Sequence, residues 1–144
     1  MVHLLLDNGA GCIKYGISGV DKTSRSASNC LAKINKQMQV LVADQIDNTQ
    51  NGSALHYIRP FERGYLTNMS AQIEVWDRVF NKLLSTYPGQ SNNNSSSSQK
   101  NTPRLDPRET SLVLTEPPFA PVPLQNDLNE GKSYHQNLSC HYYG

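Results

Sequence analysis

Two short apolar runs, Val2 to Leu6 and Ile13 to Ile17, are separated only by Asp7-Asn8-Gly9-Ala10-Gly11-Cys12. The second run alternates, with Ile13, Tyr15 and Ile17 on one side, so its period is that of a strand. This sets the segment apart from Walker loops and Rossmann turns, in which a glycine-rich turn leads into a helix. The pair predicts a hairpin whose small residues let backbone N–H groups turn inward around an anion. Gly9, Ala10 and Gly11 would form the cradle, Lys14 would add a positive charge, and Asp7 would hold a divalent cation through water. An Asn-Gly turn between apolar runs is also an ordinary β-hairpin, and these residues alone leave both readings open.

Further along, Arg59-Pro60-Phe61-Glu62-Arg63-Gly64-Tyr65-Leu66-Thr67-Asn68 precedes an amphipathic helix, and Leu112-Val113-Leu114-Thr115-Glu116-Pro117-Pro118 follows it. In this order, after the opening hairpin, the three motifs resemble the first third of the actin fold, over residues 2 to about 130. Asn29-Cys30-Leu31-Ala32-Lys33 and Ala43-Asp44-Gln45-Ile46-Asp47 are similar to one branch of the actin-related proteins and differ from conventional actin. The resemblance implies an α/β chain with an incomplete actin-like (ribonuclease H-like) ATPase fold: a mixed sheet, a flanking helix and a small inserted subdomain. Residues 1–27 and 59–130 would be part of the first subdomain and 28–58 the second. Residues 89–104 would be a disordered Ser/Asn-rich insertion, and 131–144 a divergent tail.

The resemblance also carries functional expectations. The branch in question consists of nuclear, non-catalytic subunits of a chromatin-remodelling complex that exchanges a variant core histone into nucleosomes. Its partners would be the other protein subunits, with histones and the nucleosome met indirectly, and without membrane or sequence-specific nucleic-acid binding. Localisation would be the nucleus, with the cytoplasm second. The family cofactor is ATP or ADP with Mg, clamped between two similar hairpins, of which this chain supplies the first. Asp106 to Thr110 lacks the glycine and strand context of the second. Ala10 stands where conventional actin has serine, and losing such a hydroxyl donor costs about 2.7–4 kcal/mol in rate terms. No catalytic residue is assigned. The alternatives are an ATP-binding or ATP-hydrolysing member of the wider superfamily that includes sugar kinases and heat-shock chaperones, or a fragment without function.

The remaining residues refine this outline. A net charge of +1 supplies no overall electrostatic argument for nucleic acid or membrane. Three cysteines, Cys12, Cys30 and Cys140, have no framework spacing, which suits a reducing compartment. No apolar run approaches the ~20 residues that cross a bilayer. Two short apolar runs, 30–32 and 39–43, predict a small, mobile excursion. From Ser70, the residues Ile73, Trp76, Phe80, Leu83 and Leu84 follow helical spacing, with Gln72, Glu74, Asp77, Arg78 and Lys82 on the other face. Asn68 or Ser70 would cap this helix, Pro88-Gly89 would end it, and Trp76 belongs to the core. Ser111 to Leu114 predicts a strand, with Glu116 structural rather than catalytic. The tail from Gly131 is polar, aromatic and aperiodic; His135, Cys140 and His141 fall short of a four-ligand zinc set.

Overall fold

A computed structural model describes residues 2–34, 39–49, 55–86, 110–115, 121–123, 126 and 139–142. In chain order the elements are β1 (Val2–Asn8), β2 (Cys12–Ile17), β3 (Arg25–Ser28), β4 (Leu31–Ile34), β5 (Val40–Val42), α1 (Asp44–Asp47), β6 (Leu55–Ile58), β7 (Phe61–Glu62), β8 (Tyr65–Leu66), α2 (Met69–Thr86), β9 (Thr110–Leu114) and β10 (Ser139–Tyr142). The predicted hairpin is β1 and β2, antiparallel, with Asp7 opposite Lys14 and Asn8 opposite Ile13. On its other side β1 pairs in parallel with β9, which places Leu6 beside Leu114. The five-stranded sheet therefore runs β10-β9-β1-β2-β3 and is mixed, as expected.

Alternation decides which face of this sheet is covered. Leu4 and Leu6 of β1, Ile13, Tyr15 and Ile17 of β2, Ala27 of β3, and Leu112 and Leu114 of β9 share one buried face. Against it lies α2, through Ala71, Val75, Trp76, Val79, Phe80 and Leu83. No Gly or Pro interrupts residues 69–86, and Asn68 caps the helix by accepting from the Ala71 N–H at 3.1 Å. Each large side chain in this layer contributes about 1.5–3 kcal/mol by leaving water, so Leu83→Ala removes about 2–5 kcal/mol once its cavity is included.

The helix stripe differs from the sequence expectation at two residues. Gln72, assigned to the solvent face, is fully buried at 0 % exposure, while Ile73 is only half-buried. The reason is local: a polar side chain can occupy an apolar stripe where buried partners await it, and Gln72 meets the amides of Asn8 and Asn29. Pro88-Gly89, Glu116 and residues 89–104 lie outside the described residues.

The excursion forms a three-stranded antiparallel sheet, β5-β4-β6, with α1 beside it. Cys30, Ala32, Leu41 and Ile46 make a second, small cluster. Its base is tied to the main layer at several points. The Asp47 carboxylate accepts from the Ser28 N–H at 3.0 Å and from the Ser28 hydroxyl, while Asp44 reaches α2. The motif at residues 59–68 returns the chain to the main layer through the β7–β8 ribbon. Its two-residue turn, Arg63-Gly64, has φ of 51° and 87°, which suits glycine at the second position.

The divergent tail contributes a strand to the main sheet. Residues 139–142 form β10, paired in parallel with β9 so that Cys140 lies beside Leu112 and Tyr142 beside Leu114. A four-residue strand needs no alternating apolar pattern at the edge of a sheet, where backbone pairing supplies the order.

Candidate functional site

The turn between β1 and β2 is set by close packing at one glycine and openness at another. A Cβ on Gly9 would sit 2.6 Å from the Cys12 carbonyl oxygen, so only glycine fits there without a shift. A Cβ on Gly11 would meet nothing within 4 Å. Space beside Gly11 is open to whatever approaches the turn, and Ala10 and Gly11 are both exposed.

The two glycine carbonyls are already used. Asn29 Nδ2 donates to the Gly9 oxygen at 2.8 Å, and the Asn29 N–H donates to the Gly11 oxygen at 3.2 Å. Among the described residues, the N–H groups of Ala10 and Gly11 have no hydrogen-bond acceptor. A turn with its carbonyls drawn inward and exposed N–H groups uncommitted is suited to an anion. The fit for phosphate therefore rests on Gly9 for shape and on Ala10 and Gly11 for donors.

The charged pair stands on the sheet face away from α2. Lys14 Nζ lies 3.6 Å from Asp7 Oδ2, with the two side chains 59 % and 51 % exposed. Asp7 Oδ1 accepts from the Thr115 hydroxyl at 2.9 Å, which joins β1 to the end of β9. Lys14 is long and solvated enough to swing toward an anion at the turn. A divalent cation near Asp7 would find one protein carboxylate, which suits Mg leaning on phosphate oxygens and water rather than an all-protein cage. Among the described residues no group of three His, Cys, Asp or Glu could hold a metal by itself.

A groove of ≈ 540 Å³ runs from this pair along the same face. Asp7, Lys14 and Thr115 close one end, Leu5, Gly16 and Val113 form the floor, and the loop from Ser18 to Ser24 walls the other end. Asp21 shapes that loop by accepting from the Ile17 N–H at 2.8 Å and from Arg25 at 2.9 Å. Cys12 is exposed at the start of β2, whereas Cys30 is buried and its thiol is pushed up by loss of solvent. Trp76, read as core, is 1 % exposed.

Behind the turn lies a set of amides whose meeting the sequence motifs did not foretell. Asn29 Nδ2 also points to Asn8 Oδ1 at 3.2 Å and Gln72 Oε1 at 3.3 Å, and Gln72 Nε2 donates back to Asn29 Oδ1 at 3.2 Å. Asn8 Nδ2 reaches Gln72 Oε1 at 3.4 Å, and the indole N–H of Trp76 donates to Asn8 Oδ1 at 3.4 Å. These four side chains are between 0 % and 9 % exposed. The signal that could have placed Gln72 is its position four residues before Trp76, one turn along the same side of the helix.

The order of the strands, the turn and the buried helix agree with a family match to Actin over residues 1–131. The chain belongs to the actin family. It is 41 % identical over 116 residues to the actin-like protein ARP6 of Cryptococcus neoformans, covering 81 % of this chain and 20 % of that protein. It is 36 % identical over 130 residues to actin-related protein 6 of Oryza sativa, covering 88 % of this chain and 25 % of that protein. The chain thus spans a quarter or less of these relatives. In three dimensions it is similar to MreB5 of Spiroplasma citri bound to ADP, with a TM-score of 0.63, 12 % identity, 99 % of this chain covered and 37 % of the other. That likeness establishes the actin-like fold, here as an incomplete part of it.

Proposed function

We propose that this actin-family chain is part of a non-catalytic structural subunit of a nuclear chromatin-remodelling complex, one that exchanges a variant core histone into nucleosomes. The observation that carries the proposal is the similarity to actin-related protein 6, at 36 % identity over 130 residues. The opening turn then serves as one half of a phosphate clamp. Gly9, Ala10 and Gly11 would receive phosphate oxygens of ATP or ADP, Lys14 would neutralise them, and Asp7 would approach Mg through water. The bound ADP of the MreB5 structure supports a nucleotide at this fold. Ala10 presents no hydroxyl, which favours holding a nucleotide over promoting its hydrolysis.

The test is assembly in nuclei. An epitope-tagged chain should co-purify with the motor subunit of the remodeller and with the variant histone it carries, detected by antibodies to each. Recovery of neither, from cells in which the tagged chain is folded and nuclear, would refute the structural-subunit reading. An ATP-hydrolysing member of the superfamily would instead show magnesium-dependent turnover that Lys14→Ala removes.

A further inference from the structure

We propose that Asn29 is a positioning residue for the anion turn and also the mechanical joint between that turn and the inserted sheet, so that a displacement of the turn is carried directly into β4.

The contacts form a short continuous chain. Asn29 holds both glycine carbonyls of the turn, one through its side chain at 2.8 Å and one through its own N–H at 3.2 Å. Two residues later the same backbone begins β4 at Leu31. Between them Cys30 packs in the small cluster with Ala32, Leu41 and Ile46, and its carbonyl accepts from the Ala43 N–H at 3.2 Å. Gln72 braces the joint from α2 with two hydrogen bonds to the Asn29 amide, at 3.2 and 3.3 Å. A side chain 1 % exposed and bonded on every side has no room to absorb a shift of the turn. Movement of Gly9 or Gly11 must therefore move Asn29, and movement of Asn29 moves the entry to β4. Trp76, the one tryptophan in the sequence, touches the same network through Asn8 and reports on it optically.

The joint itself follows from these contacts; only its use in sensing phosphate rests on the proposed function. The test separates the two by amide hydrogen exchange and Trp76 emission on the full chain. Gly9→Ala displaces the turn without any ligand, because its Cβ would clash with the Cys12 carbonyl. In the Asn29 background this change should raise exchange across 29–34 roughly tenfold, as a segment that opens locally loses protection. In an Asn29→Ala background the effect of Gly9→Ala should stay within 9–12. If Asn29→Ala does not fold, Gln72→Met serves instead: it removes the brace, keeps the Asn29 contacts to the turn, and should reduce the transmitted effect. Perturbation confined to 9–12 with Asn29 intact would overturn the joint. A parallel arm adds inorganic phosphate or ATP with Mg. Protection of the turn and of 29–34, both lost in Lys14→Ala, supports the phosphate role. No ligand effect, with the Gly9→Ala effect still transmitted, overturns phosphate sensing and leaves the joint standing.

Discussion

Two of the places where the inserted sheet meets the main layer are built from opposite chemistry. At Asn29 the contact is a neutral cluster of buried amides, between 0 % and 9 % exposed. At Asp44 it is an ion cluster: Arg78 Nε and Lys82 Nζ each lie 2.9 Å from the carboxylate, with the cations 41 % and 39 % exposed and Asp44 at 13 %. The hydrogen bond from Arg78, joined by Lys82 and opposed by burial, holds the Asp44 carboxyl down at about 2. Burial also raises the Tyr15 hydroxyl nearby, which keeps it neutral. Amides fix directions at the turn without introducing a charge, whereas half-solvated charges fasten the base with less geometric demand.

Loss of Asn29 should have the largest effect. Asn29→Ala leaves the Gly9 carbonyl and the Gln72 amide without their buried partner, and is expected to lower stability by about 2–4 kcal/mol in denaturant titration. Asp44→Ala should cost less, about 1–2 kcal/mol, because both released cations can recover water. Equal costs at the two sites, or the reverse order, would break the comparison.

Acid sharpens it. Because the Asp44 pKa is lowered on folding, its contribution is complete above the unfolded value near 4 and is lost as pH falls toward about 2. The stability gap between the native chain and Asp44→Asn should therefore close across that window, while the gap to Asn29→Ala should not contain this component. Added salt gives a smaller effect in the same direction. Raising ionic strength from 0.1 to 1 M shortens the Debye length from about 10 to about 3 Å, and should weaken the Asp44 contribution by about 0.5 kcal/mol and leave the amide cluster unchanged. At the turn itself Gly9→Ala should cost about 1–3 kcal/mol, whereas Gly11→Ala should alter stability by less than about 1 kcal/mol, since its Cβ meets open space.

These two contacts also mark where sequence reasoning succeeded and stopped. The hairpin was legible because Ile13, Tyr15 and Ile17 alternate around a small-residue turn, and α2 because its apolar residues repeat at helical spacing. The charges of Asp44, Arg78 and Lys82 were visible, but their meeting depends on residues 34 and 38 positions apart, which no local period encodes. Gln72 was misplaced because composition alone ranks it with solvent-facing residues, and only the distant amides of Asn8 and Asn29 make its burial favourable. The β10 strand was missed for a related reason: a short edge strand is ordered by β9, not by a pattern of its own.

Calorimetric titration of the folded chain with ATP and Mg, repeated on Lys14→Ala, shows whether the opening hairpin binds nucleotide by itself. A non-catalytic subunit carrying one half of a phosphate clamp predicts binding weaker than micromolar and no turnover. Micromolar binding abolished by Lys14→Ala, accompanied by hydrolysis, would contradict it and make the opening hairpin a nucleotide site that works without its partner.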